Sequence, residues 1–449
     1  MHKYQECAFS AQITISKEDY MDLVIGILLL ITYFLLIFYA ARGGNLMIGF
    51  LGMGVVWTAL CIVGGQLSWA DAMRNIFQGG PESWGATAVN VIFGSWFGRV
   101  LVDTGIAKKL IRSVTELGGD NPLIVTILLS IVTGIIFTST FGAGAVVAIG
   151  VIVLPILMSL GVSKPLAVTS YLMSVGSGMY INTVLFSQMQ AIFPDMVYGS
   201  SYLRWAFPAM ALQLGLVAAM LAFNMRPRKR RRKAWALQIG DDLQEKDIPA
   251  ISLITPIIPT TLSIAFGWLT IPAFIVGALF GLAVTGNFPS FKAASRVISS
   301  TFYDGVVDVA SLLGFLFVLP IFNRISGVAA PFFEPILGGV LPTTTLGLVI
   351  AFILIAPSGL FRGPLTIFGA GAATVGVINA IGTFPTPFLF TLMYVPTIAM
   401  NLSQCPTQSW NMWALNHSKV SVKDFLKTGL VWTWVITALN LVLVYFNFG

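Results

Sequence analysis

The chain has 449 residues, of which 56% are hydrophobic and 10% charged, with a mean hydropathy of +0.87. A water-soluble domain carries about 25% charged residues, so this composition cannot cover a water-facing surface; it excludes a soluble enzyme, a disordered chain and a nucleic-acid binder. The net charge of +7 is local: seven of 25 basic residues lie in one run, Arg226, Arg228, Lys229, Arg230, Arg231, Arg232 and Lys233, and the other 18 balance 18 acids.

A membrane-crossing helix needs about 20 mostly apolar residues, because hydrocarbon satisfies no backbone hydrogen bond. Ten segments qualify: residues 23–40, 46–65, 85–102, 166–190, 206–225, 251–267, 271–286, 305–321, 387–404 and 429–446. Two further stretches, 122–160 and 344–381, each run to roughly 38 residues, nearly twice a span, and are interrupted midway. The interruptions read Thr138-Ser139-Thr140-Phe141-Gly142-Ala143-Gly144 and Pro357-Ser358-Gly359-Leu360-Phe361-Arg362-Gly363-Pro364. Irregular backbone at membrane depth is tolerated only where it faces protein or a watery cavity. Both stretches are therefore expected to be re-entrant hairpins; two full crossings each would leave the topology parity unchanged.

Basic residues gather on the cytoplasmic side of membrane proteins. The run at 226–233 follows the fifth span, which places the 226–250 linker inside the cell. Counting back puts Arg42, Lys108, Lys109, Arg112 and Lys164 inside as well, with Arg74 and Arg204 outside beside Asp71, Glu82 and Asp195. In the second half Lys292, Arg296, Lys419, Lys423 and Lys427 fall inside, and Arg324 and Glu334 outside. Residues 1–22 lie outside on this count and lack the apolar core and cleavage site of a secretory signal.

The halves correspond at an offset of about 216–222 residues, a repeat whose odd number of crossings makes the two copies inverted. The interruption at 138–144 pairs with that at 357–363, residues 166–173 with 387–394, and Val184-Leu-Phe-Ser187-Gln188 with Met400-Asn-Leu-Ser403-Gln404. The expected fold is an all-α polytopic membrane protein of two inverted repeats, 1–225 and 251–449. Each repeat has five spans, a re-entrant hairpin and a broken helix. Discontinuous helices in inverted repeats place a transporter's binding site where the halves meet.

Arg362 is the most informative candidate: a charge at membrane depth is costly and marks a substrate path or an ion pair. With Ser358, Gly359 and Gly363 it forms a tip where half-helix N-termini add partial positive charge, suited to a carboxylate. The first tip offers Thr138, Ser139, Thr140 and Gly142, uncharged groups suited to a carboxylate, hydroxyls or a sodium ion. Each hairpin precedes a span with a breakable centre, Ser174-Val-Gly176-Ser177-Gly178-Met-Tyr180-Ile-Asn182 and Pro396–Thr407. In these, Ser177, Asn182, Asn401 and Gln404 can contact substrate and Ser403 an ion. Asp308 is expected either to couple an ion, as Thr138 and Ser403 also are, or to neutralise Arg362. The Gly94-to-Gly98 spacing reads as helix packing.

His2 and His417 are far apart, Cys7, Cys61 and Cys405 have no CxxC spacing, and HExxH, P-loop and GxSxG motifs are absent. No catalytic residues, metal or cofactor are therefore expected, and transport has to run on an ion gradient.

With these tips and broken helices, the chain resembles the gluconate permease family of the ion-transporter superfamily, whose relatives include citrate, dicarboxylate and lactate permeases. The likeness is clearest over 94–167 and in the tail, Asn401-Leu-Ser-Gln-Cys-Pro-Thr-Gln-Ser-Trp410 followed by Val422-Lys-Asp-Phe-Leu-Lys427. Where that family has a His- and Pro-rich stretch and an Asn-Asp-Pro-Gly, this chain has Gly176–Asn182 and Gln404–Ser409. The resemblance implies proton- or sodium-coupled uptake of an organic acid, with tips at 139–144 and 358–364. The expected function is a secondary transporter in a bacterial cytoplasmic (inner) membrane, a symporter of a sugar acid, hydroxy- or dicarboxylate driven by H+ or Na+. Its partners are the anion and the lipid bilayer, with no nucleic acid, and a homodimer is compatible with the architecture. Alternatives are a cation/proton antiporter of the same architecture and the membrane subunit of a binding-protein-dependent carboxylate transporter.

Overall fold

A chain this apolar must satisfy its backbone internally. In the computed structural model, which describes residues 17–42, 44–119, 121–225, 248–337, 342–381 and 383–449, every regular element among the described residues is helical. Five helices are long and apolar enough to cross a membrane: Tyr20–Tyr39, Trp69–Asp103, Ser200–Asn224, Phe291–Phe333 and Val422–Phe448. Shorter apolar helices, among them Met47–Val63, Pro122–Ile136, Ala143–Ser159 and Thr270–Val284, pack between them. Most of the 226–250 linker, with its basic run, lies outside the described residues, as do His2 and Cys7.

Three asparagines punctuate the chain in the same way. Asn45, Asn121 and Asn182 each accept two backbone N–H groups, starting Leu46–Val63, Pro122–Ile136 and Thr183–Gln190. Such caps satisfy donors that a helix start otherwise leaves free.

Two expected spans change form. The segment expected at 305–321 is the middle of Phe291–Ala329, a helix of 39 residues, about 58 Å long at 1.5 Å per residue. The segment expected at 251–267 is split into a 3-10 turn Ala250–Ile257 and a helix Ile258–Phe266, because Pro256 and Pro259 lack the N–H that a continuous ladder needs.

The long helix is the spine of the fold. It crosses Gly85–Asp103 at Gly305, where an added Cβ would meet the Trp96 Cα at 2.8 Å. Ser95 Oγ donates to Gly305 O at 2.8 Å and Trp96 Nε1 to Thr301 Oγ1 at 3.0 Å, fixing the crossing. Its C-terminal half packs with Lys17–Ala41 and Leu46–Val63 around Phe50, Trp57, Leu319, Phe322 and Phe332. The Gly94-to-Gly98 pattern does serve packing: Gly94 faces Val184 and Phe274, and Gly98 faces Ala145 and Thr140.

Both expected broken helices are broken, one of them later than the glycines suggest. Lys164–Met179 stops and Thr183–Gln190 resumes, so the break is at Tyr180–Asn182 and Gly176 to Gly178 stay helical. Glycine here makes room for another backbone. A Cβ on Gly178 would lie 2.3 Å from Gly134 O and 2.7 Å from Phe137 C, both in the neighbouring helix and its turn. In the second half, Thr386–Pro396 passes into a π-helix, Thr397–Leu402, and the chain resumes as Ser409–Ser418. Val184–Gln188 therefore follows its break whereas Met400–Gln404 precedes its own. The sequence pairing of these two segments does not follow the positions of the breaks.

Candidate functional site

The first tip, residues 137–142, joins Pro122–Ile136 to Ala143–Ser159 and is buried. Its hydroxyls are all bonded, two to the end of Pro122–Ile136 and one to Thr260 of Ile258–Phe266. Thr138 Oγ1 donates to Ile135 O at 2.7 Å, Thr140 Oγ1 to Ile136 O at 2.9 Å, and Ser139 Oγ pairs with Thr260 Oγ1. Gly142 supplies a φ of +108° that lets the second arm begin. Asn182 holds the tip onto the break. Its Oδ1 accepts from Val184 N and Leu185 N, both at 3.0 Å, and its Nδ2 donates to Phe137 O at 2.9 Å and Thr140 O at 3.0 Å. That is the full hydrogen-bonding capacity of a carboxamide, two bonds donated and two accepted.

The carbonyls that the first break leaves free are satisfied as well. Tyr394 Oη donates to Met179 O at 3.0 Å, Tyr202 Oη to Tyr180 O, and Tyr198 Oη to Ile181 O at 2.6 Å. Ser177 Oγ donates to Ser174 O at 2.6 Å. The first tip and break are thus closed by hydrogen bonds, many of them from Thr260, Tyr198, Tyr202 and Tyr394; beyond the break the buried Gln188 carboxamide alone in Thr183–Gln190 has no protein partner.

The second half is built differently. Thr345–Leu354 ends in a 3-10 turn, Ala356–Gly359, and the chain winds through 360–370 before Gly371–Ile381. Phe361 and Arg362 have φ of 53° and 63°, a left-handed conformation that costs a non-glycine residue about 1–2 kcal/mol. Such strain concentrates at functional sites. The 3-10 turn packs on the π-helix, Gly359 facing Met400, and Phe361 N donates to Cys405 Sγ at 3.2 Å. Arg362 reaches the second break: Nη2 donates to Thr407 O and Nη1 to Phe368 O, both at 3.4 Å.

Here buried polar atoms lack protein partners: Ser358 Oγ, Arg362 Nε, both amide atoms of Asn401, Gln404 Oε1, Gln408 Oε1 and Asn411 Oδ1. Each such group costs about 1–3 kcal/mol if nothing binds it. Arg362 makes no ion pair among the described residues. The pairing with Asp308 allowed by the sequence does not occur. Asp308 Oδ2 lies 3.6 Å from Arg99 Nη1, in a group where Arg99 also faces Asp103 at 3.0 Å and Asp304 at 3.8 Å. The crossing at Gly305 brings Arg99 to the acids, whereas Arg362 lies in the 360–370 stretch and pairs with none of them.

Of the other expected residues, Ser403 Oγ donates to Ile398 O at 2.9 Å and accepts from Gln213 Nε2 at 3.3 Å; Gln404 Nε2 donates to Phe425 O at 2.9 Å. Sequence reasoning missed the buried relay to which Ser403 belongs. Asn440 Nδ2 donates to Tyr180 Oη at 2.8 Å, and Tyr180 Oη donates to Gln213 Oε1 at 3.2 Å, tying both broken helices to Ser200–Asn224 and the last helix. The available signal was a lone Gln and a lone Asn inside apolar spans. His417 stacks on Trp413, and among the described residues no group of three or more His, Cys, Asp or Glu is placed to hold a metal ion.

Neither a family model nor a curated protein sequence matches this chain. Its fold is similar to that in the crystal structure of the YdaH transporter of Alcanivorax borkumensis, with a TM-score of 0.58 at 13% identity over 89% of this chain and 97% of that one. The chain therefore has the fold of a membrane transporter, and with its five long apolar helices is a multi-pass membrane protein. That likeness shows the fold; it does not show membership of the gluconate permease family.

Proposed function

We propose that the protein is a secondary active transporter of a small organic anion, bound at the second tip and second break. The observation that carries this reading is the set of unpartnered buried groups around Arg362, a guanidinium without a carboxylate. The first backbone N–H groups of Ser409–Ser418 have no acceptor within their helix. They start at Ser409, since Gln408 N already donates to Cys405 O at 3.1 Å, two residues from the Thr407 carbonyl that Arg362 holds, and add partial positive charge for an anion. Ser358 and Asn401 complete the contacts, while Gln404, whose amide lies against Gly429 and bonds Phe425 O, stands behind them. The saturated first tip and break, with Ser139, Thr140, Gly142, Ser177 and Asn182, act as a rigid counterpart. On this reading the two helix–turn–helix segments are re-entrant hairpins of inverted repeats in a bacterial cytoplasmic membrane, and a proton or sodium gradient drives uptake.

Purified protein in proteoliposomes, offered sugar acids, hydroxycarboxylates and dicarboxylates under separate proton and sodium gradients, tests the proposal. One anion class is expected to accumulate under one gradient. No accumulation of any anion overturns it.

A second reading, cation/proton antiport, is favoured by one feature: three carboxylates surround the single guanidinium of Arg99. In that case Asp308→Asn abolishes all transport, and Arg362→Gln leaves it intact.

A further inference from the structure

A buried thiol joins the second tip to the second break. We infer that Cys405 is a positioning residue of the anion site: its side chain clasps the left-handed turn at Phe361 and Arg362 onto the break, and so sets where the guanidinium stands. The inference rests on the anion reading above and adds a residue that acts through Arg362 without touching the ligand.

The turn is strained and needs holding. Phe361 and Arg362 both have positive φ without being glycine, a conformation that persists only where the surroundings over-determine it. Within the hairpin, Gly363 N donates to Leu360 O at 3.0 Å and Ala370 N to Arg362 O at 3.2 Å. From the break, Cys405 Sγ accepts from Phe361 N at 3.2 Å, the amide of the first left-handed residue. Sulfur is a weak acceptor, so the thiol has to be held in place, and it is. Cys405 O accepts from Asn411 Nδ2 at 3.0 Å and from Gln408 N at 3.1 Å, and Cys405 N donates to Asn401 O at 3.3 Å. Its Sγ lies 3.0 Å from Thr407 Oγ1, on the residue whose carbonyl takes Arg362 Nη2.

Arg362 is thereby referenced twice to one short stretch, Cys405-Pro406-Thr407. The thiol holds the main chain just before it, and the Thr407 carbonyl holds the end of its side chain. Pro406, with its fixed φ, stiffens the spacing between the two. A buried cysteine also serves as a small apolar filler, and Cys405 does share a cluster with Ala356, Leu360 and Met400. Chemistry separates the two roles. Serine keeps an acceptor for the Phe361 N–H and a partner for the Thr407 hydroxyl; alanine keeps the apolar character and loses both bonds.

The test compares Cys405→Ser and Cys405→Ala with the wild type, as purified full-length chains. Equilibrium binding of gluconate, lactate, citrate and succinate reads the site, and hydrogen exchange over 360–370 without ligand reads the turn. Whichever of these anions the wild type binds, Cys405→Ala should bind about tenfold more weakly, the scale of one hydrogen bond. Exchange over 360–370 should quicken about tenfold in the same variant, and Cys405→Ser should stay within about threefold of the wild type in both readouts. Thr407→Val takes the hydroxyl from the thiol and keeps the carbonyl under Arg362. It should weaken binding about threefold alone and add nothing in the Cys405→Ala background. A thiol that merely fills space predicts the reverse order, with serine the less stable variant and anion affinity unchanged in both. That order, wild-type affinity in Cys405→Ala, or additive losses in the double variant overturns the inference and leaves the anion reading in place. Failure of the wild type to bind any of the four anions overturns the anion reading, and the positioning role with it, even where exchange over 360–370 responds to Cys405→Ala.

Discussion

Two buried asparagines, one beside each break, should respond to mutation with opposite signs. Asn182 spends both ends of its amide on four hydrogen bonds of 2.9–3.0 Å. Asn182→Ala removes an N-cap, worth about 1 kcal/mol, and strands the Phe137 and Thr140 carbonyls at about 1–3 kcal/mol each. The loss comes to roughly 3–7 kcal/mol. Asn401 is equally buried and has no partner for either amide atom. Asn401→Leu, of similar branching but larger, removes two desolvated polar groups at about 1–3 kcal/mol each against an overpacking cost of about 1–3 kcal/mol, and should stabilise the ligand-free protein by about 1–3 kcal/mol while abolishing binding. Thermal unfolding in detergent without ligand, followed by intrinsic fluorescence, gives the comparison. Asn182→Ala should unfold well below the wild type and Asn401→Leu above it. If both fall equally, or Asn401→Leu falls further, Asn401 has partners in the folded chain, and the contrast between the two halves is wrong.

Gly178→Ala would drive a methyl into the Gly134 carbonyl and the Phe137 backbone, which cannot rotate away as a side chain could. A loss of about 3 kcal/mol or more is expected. Gly52→Ala on an exposed helix face, with nothing within 4 Å, should instead gain about 0.5–1 kcal/mol; unfolding temperatures of the pair check both. Tyr202→Phe leaves the Tyr180 carbonyl without its hydroxyl donor and should cost about 1–3 kcal/mol, visible in the same assay, with the selectivity of anion binding unchanged.

The limits of the two interrupted segments were legible because their signals are local. Asn121-Pro122 starts one helix, and small or turn-forming residues mark both tips. The π-helix was not legible, since nothing in Thr397–Leu402 differs in composition from an ordinary helix. Gly176 to Gly178 looked like the break and turned out to be the surface on which Gly134 and Phe137 dock, because glycine serves a close approach as well as a turn. Arg99 as the ionic neighbour of Asp308 was not legible, and Arg362 was the one arginine offered for it, since sequence does not say which helices cross. The tyrosines that seal the first break, and the relay from Asn440 through Tyr180 to Gln213 and Ser403, join residues up to 260 positions apart. Only the fold brings them together. Arg362 stood out in the sequence for its charge; its unpartnered neighbours Gln408 and Asn411 did not, because Gln and Asn in a polar loop are ordinary.

The most direct measurement of the central claim is anion uptake by Arg362→Gln in proteoliposomes, normalised to the amount of correctly inserted protein. Loss of the one guanidinium offered to the carboxylate should lower uptake at least about 100-fold, the scale of a charged hydrogen bond of roughly 3 kcal/mol. Asp308→Asn should retain exchange of the same anion across the membrane. Wild-type uptake in Arg362→Gln, together with complete loss in Asp308→Asn, would contradict the account and move the functional centre to the Arg99 cluster.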